Sequence, residues 1–381
     1  MKSYNILIYM LGGIDPTRGG IERISVLLAR EFIARGSKVY SLSSVVDGDF
    51  GYTGSFAVPV PYRADRANTE YIDSLIEKLD IDILLATTLA HDTMYLNLKG
   101  LKSRVRIISH YHASPRGNHS RIHSLEKYPI SSFRWFQNLA FEIQKRRVAP
   151  KYRGIGRMVD KIVMLSPAFI PELRLLGEFP DSQLKVIRNP LTYPATSFDL
   201  GSKEKTVLWV GRINDSEKRI SSLLRIWKYA SDDMPGWKLK ILGGGGELGK
   251  WKNRADTLGL QRIEFLGFRD PKEYFHKASI YILTSNQEGW PTTLMEAMSH
   301  SCASISFNSF ASAPDMIMNG ENGFLIKAFD DKAFAGKIVE LSRNPELRER
   351  IARNAWEGTN EYSVDSICDD WYSLFEELDA K

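Results

Sequence analysis

Glu288 and Glu296 bracket the stretch Gly289-Trp290-Pro291-Thr292-Thr293-Leu294-Met295, where a strand-like run gives way to a helix-like one. Pro291 suits the first helical position, where a missing amide breaks no hydrogen bond. The reading therefore places Glu288 in the loop and Glu296 on the helix, roughly 7 Å along an axis that rises about 1.5 Å per residue. Between them, the unpaired amides of the first turn, the hydroxyls of Thr292 and Thr293 and the helix dipole make a site for an anion such as a diphosphate. Each carboxylate accepts hydrogen bonds only and suits sugar hydroxyls, Glu288 on one side of the phosphates and Glu296 on the other. Taken singly, the two glutamates read as a loop charge and a solvated helix residue. Their Gly, Pro and strand context favours a grip on a sugar diphosphate.

Two other turns offer related chemistry. Gly211-Arg212-Ile-Asn-Asp-Ser-Glu-Lys218-Arg219 follows the apolar run Thr206–Val210 and presents fixed cations that could neutralise a leaving diphosphate; a basic surface turn has the same composition. Gly19-Gly20-Ile-Glu22 lets a ligand approach a helix N-terminus closely. It does not fit the G-x-G-x-x-G pattern of dinucleotide binders. Four of the seven histidines lie between His110 and His123. The pair His110-Tyr-His112 ends a strand-like run, where a polar contact to a ligand fits better than a metal, since no carboxylate lies near in sequence to complete a ligand set. Nucleophile-elbow, P-loop and kinase signatures are absent.

The elements that must position these residues alternate between strand and helix, which predicts parallel sheets wound with helices. Strands are expected at Ile6–Tyr9, Lys38–Leu42, Ile81–Leu85, Arg106–Ser109 and Lys161–Leu165, with helices at Ile21–Arg35 and Tyr71–Leu79. A second series starts at Thr206–Val210 and continues through Lys238–Leu242, Arg262–Leu266 and Ile280–Leu283. The turn-rich stretch 191–204 between the series reads as a linker. A length of 381 residues exceeds one ordinary domain. The expected division is a domain over 1–190, a second over 205–362 and a helix over 363–381 that packs back toward the first. Ligands of such sheets bind at the carboxyl ends of the strands, so the loops there should converge on a crevice.

Composition narrows the class. No apolar run approaches the roughly 18 residues of a spanning helix, and Tyr4–Leu11 is too short and too abruptly ended by Gly12-Gly13 for a signal peptide. Cys302 and Cys368, the two cysteines, suggest neither a disulfide framework nor a zinc site, and a cytoplasmic setting is expected. Residues 1–190 hold 27 Lys/Arg against 18 Asp/Glu, and residues 191–381 hold 24 against 28. The basic excess concentrates in 131–153, where Phe133, Trp135, Phe136, Leu139 and Phe141 accompany Arg134, Lys145, Arg146, Arg147, Lys151 and Arg153. That mixture suits peripheral contact with an anionic membrane, and equally a core helix with a solvated basic end. No RNA-binding motif accompanies it, and nucleic acid is not expected as a partner.

Taken together, Ser285-x-x-Glu288-Gly-x-Pro-x-x-x-x-Glu296-Ala-Met, Gly19-Gly20-x-Glu22, Gly211-Arg212, Asn189-Pro190, Gly243 to Glu247, Phe265-Leu-Gly-Phe268 and Asn319-Gly-Glu-Asn-Gly-Phe-Leu-Ile326 closely resemble the glycosyl transferases group 1 family, the retaining family 4. The resemblance is strongest over about 205–330. It implies a GT-B fold, two Rossmann-like doubly wound domains facing across a cleft. The implied activity is retaining transfer of a sugar, a hexose above all, from a nucleotide-diphosphate sugar to a glycan or lipid-linked saccharide, with no cofactor and no essential metal. By this resemblance Glu296 holds the ribose, Glu288 contacts the donor sugar, and Arg212 with Lys218 stabilises the departing diphosphate. Gly19 and Gly20 face the phosphates, His112 (or His110) touches the sugar near the reacting centre, and Arg219, Gly289, Trp290, Pro291, Thr292 and Thr293 complete the donor site.

Three departures accompany the match. The lysine follows Gly211 one residue late, so Lys218 and Arg219 could exchange roles. Ser299-His-Ser-Cys302 replaces the usual glycine after the helix, and Pro291-Thr292 stands where small or apolar residues are common. The implied setting is assembly of bacterial surface polysaccharide or lipopolysaccharide. A sugar phosphorylase or synthase of the same fold and a non-catalytic nucleotide-sugar or glycan-binding module are the alternatives.

Overall fold

The computed structural model describes residues 2–115, 134–194 and 196–380, and their side chains except at 134–141 and 144. The chain divides into two compact units, Met1–Thr192 with Val364–Lys381, and Tyr193–Ser363.

Among the described residues the first unit has seven parallel strands, β1 (Asn5–Tyr9), β2 (Lys38–Ser43), β3 (Gly54–Ala57), β4 (Ile83–Ala86), β5 (Arg106–Tyr111), β6 (Lys161–Met164) and β7 (Leu184–Val186), ordered β3-β2-β1-β4-β5-β6-β7. The order reverses between β1 and β4, so the crevice of this sheet lies outside their carboxyl ends. The helix Gly20–Ala34 buries Ile24, Leu28 and Phe32, one stripe at helical spacing. On that stripe lies the helix Val364–Asp379, through Ile367, Trp371, Phe375 and Leu378 at the same periodicity. Phe32 meets Tyr372 and Phe375 edge-on, with ring centroids 5.8 and 5.6 Å away. Polar contacts fix the register: Tyr372 and Ser37 share a hydrogen bond of 2.8 Å, Arg35 Nη1 donates to Asp369 Oδ1 at 2.6 Å, and the buried Lys161 Nζ donates to Glu377 Oε1 at 2.5 Å.

The second unit has six parallel strands among the described residues, β8 (Glu204–Val210), β9 (Lys238–Leu242), β10 (Ile263–Gly267), β11 (Ala278–Leu283), β12 (Ala303–Asn308) and β13 (Phe324–Lys327), in the order β10-β9-β8-β11-β12-β13. Here the reversal lies between β8 and β11, the strands that carry Arg212 and Glu288 on their following loops. Strand β11 is buried along its whole length, as an apolar run in a sheet covered on both faces should be, while β9 alternates lysines with buried Leu239, Ile241 and Leu242.

Four strands escape the periodicity reading. β3 (GSFA) and β7 (LKV) are short, β12 (ASISFN) is half serine and alanine, and β13 (FLIK) hides in a turn-rich motif. Serine is tolerated in β12 because the sheet covers it: Ser304 and Ser306 are buried, and their hydroxyls donate to the carbonyls of Cys302 and Phe307. The expected helix at Tyr71–Leu79 begins earlier, at Arg66, because Asp65 caps it by accepting from the Ala67 amide at 2.9 Å.

Candidate active site

Helix formation at the Glu288–Glu296 stretch starts one residue later than the proline suggests. Pro291 is the cap, with ψ of 98°, and the helix is Thr292–Ser299. The Pro291 carbonyl accepts from Leu294 N at 3.0 Å, which closes the first turn. Glu288 does lie in the loop, and Glu296 does lie on the helix. Glu296 is not a solvated helix residue: it is 1% exposed. Trp290 is enclosed as well. Its ring is buried, its Nε1 donates to Met295 Sδ at 2.8 Å, and Tyr362 packs against it. The Trp290 side chain thus braces the turn that the resemblance assigns to the donor. Thr293 is half-buried and accepts from the buried Tyr281 hydroxyl at 2.8 Å. Burial raises the Tyr281 pKa, with smaller contributions from Glu288 and Glu296, so this phenol stays a donor.

The loop after β8 joins this turn. Lys218 Nζ donates to Glu288 Oε1, which also accepts from the buried Ser285 hydroxyl at 2.6 Å. Lys218 and Glu288 are 20% and 11% exposed, so the pair is partly shielded and only weakly screened. Two bonds to backbone carbonyls sew the loops together: Asn286 N donates to Glu217 O at 2.7 Å, and the Thr284 hydroxyl donates to Lys218 O at 2.8 Å. Arg219 takes a different place from Lys218. It sits at φ 50°, between the helices Asp215–Lys218 and Ile220–Ala230, with its guanidinium 4.0 Å from the Phe329 ring centroid and its Nε donating to Ser222 Oγ. Arg212 is exposed: its carbonyl accepts from the Asn214 amide at 3.0 Å, and its side chain makes no hydrogen bond or ion pair among the described residues. The geometry thus brings Lys218 to Glu288, stacks Arg219 on an aromatic ring, and leaves Arg212 available.

Glycines let the neighbouring loops reach the same place. Gly243 has φ 142°, and a Cβ there would lie 1.8 Å from the Gly211 carbonyl oxygen; at Gly245 it would lie 2.6 Å from that of Ile213. Gly211 N donates to Leu242 O and Ile213 N to Gly244 O, so the loops after β8 and β9 close on one another. Glu247 fastens them from below. Its Oε2 accepts from Trp251 Nε1 at 2.9 Å and from the Asp215 amide at 3.1 Å, which hold its carboxyl below the usual range. At the end of β10, beside Gly244, Phe268 is 74% exposed. The replaced glycine after the helix has a local solution. Ser301 takes φ 58°, His300 Nδ1 donates to Glu296 O at 2.7 Å, and Lys203 Nζ donates to His300 O, so the last carbonyls are capped without glycine.

In the first unit, Gly19 caps the helix Gly20–Ala34 in extended conformation with no side-chain hydrogen bond, and a Cβ at Gly20 would meet nothing within 4 Å. His110 and His112 lie at the end of β5, on a cavity of about 300 Å³ shared with Leu11, Ile21, Thr87 and Thr88. Burial of its ring pushes the His112 pKa down to about 3, and burial followed by the neighbouring His112 takes that of His110 well below the ordinary value, so both imidazoles are neutral. Among the described residues no group of three His, Cys, Asp or Glu could hold a metal ion.

Of the basic and aromatic stretch at 131–153, the side chains of Phe133, Arg134, Trp135, Phe136, Leu139 and Phe141 lie outside the described residues, as do His119 and His123. In the helix Arg134–Met158, Arg146, Arg147 and Arg153 are exposed, while Lys151 Nζ donates to Ala90 O and Asp92 Oδ1, both at 2.7 Å. No helix among the described residues is long and apolar enough to cross a membrane.

Sequence reading omits three parts of this architecture from its site: the Ser285 bond to Glu288, exposed Phe268, and the Thr87-Thr88 edge of the histidine cavity. The first two stand inside motifs already visible, and their roles follow from contacts that the fold makes. Nothing in the spacing of Thr87-Thr88 sets it apart from any polar turn.

Residues 195–357 match the family model of the glycosyl transferases group 1, and residues 18–192 match that of Glycosyltransferase Family 4. An uncharacterized glycosyltransferase of Haemophilus influenzae is 26% identical over 386 residues, 98% of this chain and 100% of that protein. Lipopolysaccharide 1,6-galactosyltransferase of Escherichia coli is 29% identical over 172 residues, spanning 43% of this chain and 46% of that protein. In structure, Anabaena HepE in complex with UDP-glucose aligns over 98% of this chain and 100% of its own, with a TM-score of 0.71 at 16% identity.

Proposed function

Because the chain belongs to the GT-B glycosyltransferases, those of the group 1 and family 4 models, we propose that it transfers a hexose from a nucleoside-diphosphate sugar to a glycan or lipid-linked saccharide with retention of anomeric configuration. The observation that carries this reading is the meeting of Lys218 with Glu288 beside the amide-bearing turn 289–292, at the switch point of the second sheet. Glu296 anchors the ribose, Glu288 accepts from donor-sugar hydroxyls, and the exposed Phe268 ring offers a face to the base. HepE binds UDP-glucose, and the lipopolysaccharide galactosyltransferase acts on a lipid-linked saccharide, which supports a donor and an acceptor of these kinds.

Negative charge grows on the leaving diphosphate in the transition state. Lys218 and the first-turn amides are held before reaction and stabilise it there with little reorganisation, and the exposed Arg212 side chain adds a second cation. The acceptor hydroxyl attacks the anomeric carbon on the face from which the diphosphate departs. As the new C–O bond forms, the old one breaks and the hydroxyl proton passes to the leaving phosphate oxygen. The alternative two-step route would have to use Oε2 of Glu288 as nucleophile, because Lys218 and Ser285 both engage its Oε1. No metal or cofactor enters this scheme. The reaction serves surface polysaccharide or lipopolysaccharide assembly at the cytoplasmic face of the membrane, with the exposed arginines of the helix Arg134–Met158 supplying attraction to anionic lipid.

The test is incubation with uridine, guanosine and adenosine diphosphate sugars and a mixed glycoside acceptor panel, with the product anomer assigned by NMR. An α-linked product from an α-linked donor supports the reading. Inversion, sugar release that depends on inorganic phosphate, or binding without transfer contradicts it. In the first unit, Gly20→Ala checks the glycine turn. The added methyl is free of clashes and alanine favours a helix by about 1 kcal/mol, so the melting temperature should hold or rise. Donor KM should rise by about tenfold, because the methyl obstructs approach to the helix amides. An unchanged KM would remove Gly20 from the site.

A further inference from the structure

The histidine pair is held in place by rings rather than by hydrogen bonds. His112 lies 3.9 Å, centroid to centroid, from His110, with their planes at 49°. Behind it His110, 3% exposed, meets Trp371 at 5.1 Å and 74°, an edge-to-face contact. Trp371 is fully buried and stands edge-on to Phe32 at 6.4 Å. A continuous file of rings thus runs from the cavity to the helix Val364–Asp379, far away in sequence.

Neither imidazole makes a hydrogen bond among the described residues, and the Nε2 atoms of both are shielded from solvent. An imidazole without hydrogen bonds is restrained in χ1 and χ2 only by what it packs against. The ring that His112 packs against is that of His110, and His110 in turn packs against Trp371, beside the Leu11, Ile21 and Thr87 lining of the cavity. We infer that His110 is a positioning residue: backed by Trp371 of the C-terminal helix, its ring sets the direction in which His112 presents its nitrogen to the sugar. This rests on the reading of His112 as a sugar contact. It assigns the C-terminal helix a part in the reaction besides its part in the core. His110 acts through its shape, so phenylalanine, which keeps a ring in the file and has no nitrogen, should replace it.

The experiment compares His110→Ala, His110→Phe, Trp371→Phe and His112→Ala in the full chain, by kcat, donor affinity and the imidazole 15N signals of His112. His110→Ala should lower kcat by about 10–100-fold with donor affinity within about threefold, since misplacement near the reacting centre costs about that much. Its His112 signals should shift. His110→Phe should restore kcat to within about threefold of the parent and return those signals, and Trp371→Phe should fall between the two. Equal losses for His110→Ala and His110→Phe would overturn the proposal, since the His110 nitrogen would then act directly. So would a His110→Ala protein with parental kcat and unmoved His112 signals. If His110→Ala melts too early to assay, Trp371→Phe decides, and parental kcat with unmoved signals there overturns the coupling. Parental turnover in His112→Ala would instead remove the underlying reading of His112, and the proposal with it.

Discussion

Lys218→Ala should lower turnover by about 10²–10³-fold, the usual effect of removing one fixed group that stabilises transition-state charge. The loss should fall on kcat more than on donor KM, because the charge on the leaving diphosphate grows during the reaction. Two effects combine in this variant: the phosphate loses its cation, and Glu288 loses its ion-pair partner. Lys218→Arg, which keeps the charge and changes the geometry, should recover part of the rate. Arg212→Ala should show a loss of the same order with no change in stability, since Arg212 is exposed and unpaired among the described residues. Arg219→Ala should instead cost stability more than rate, because its guanidinium lies on Phe329. Steady-state kinetics with thermal melts on the four variants separates these outcomes. A Lys218→Ala enzyme with near-parental kcat would move the leaving-group role elsewhere.

The second large effect is on folding. Deleting Val364–Lys381 uncovers the stripe of the helix Gly20–Ala34 and removes Ile367, Trp371, Tyr372, Leu374, Phe375 and Leu378 from the first core. At about 1.5–3 kcal/mol for each buried side chain, the gross loss is on the order of 10–15 kcal/mol, comparable with the whole stability of an ordinary domain. The shortened chain should therefore be unfolded or aggregated on expression. Trp371→Ala alone should cost about 3–5 kcal/mol. Circular dichroism and chemical denaturation read both, and a cooperative unfolding transition of parental midpoint in the shortened chain would contradict this account of the core.

Much of this architecture was legible because the relevant physics is local. Strands such as Ala278–Leu283 are buried along their whole length and announce themselves as apolar runs, and glycines stand where loops must pass close together, as at Gly243. Glu288 and Glu296 were placed on the right elements from the proline between them. What could not be read depended on contacts distant in sequence. The Lys218 bond to Glu288 spans 70 residues, and only the fold shows that Lys218 reaches the carboxylate while Arg219 turns onto Phe329. Trp290 stands inside the motif, and only the fold shows that the nearby Met295 sulfur and Tyr362 hold its ring. The file from His112 to Trp371 joins residues about 260 positions apart and has no sequence signature.

The central claim is that the turn between Glu288 and Glu296 holds a nucleoside diphosphate, with Glu296 on the ribose. Calorimetric titration of uridine, guanosine and adenosine diphosphates into the parent and into Glu296→Gln tests it most directly, since glutamine keeps the size of this buried side chain and removes its charge. Loss of a hydrogen bond to a charged group costs about 1.5–3 kcal/mol. The account therefore predicts that one of the three nucleotides binds the parent and that the variant binds it about ten- to a hundredfold more weakly, with an unchanged melting temperature in the absence of nucleotide. Equal affinity in the two proteins, or no binding of any nucleoside diphosphate to the parent, would contradict it.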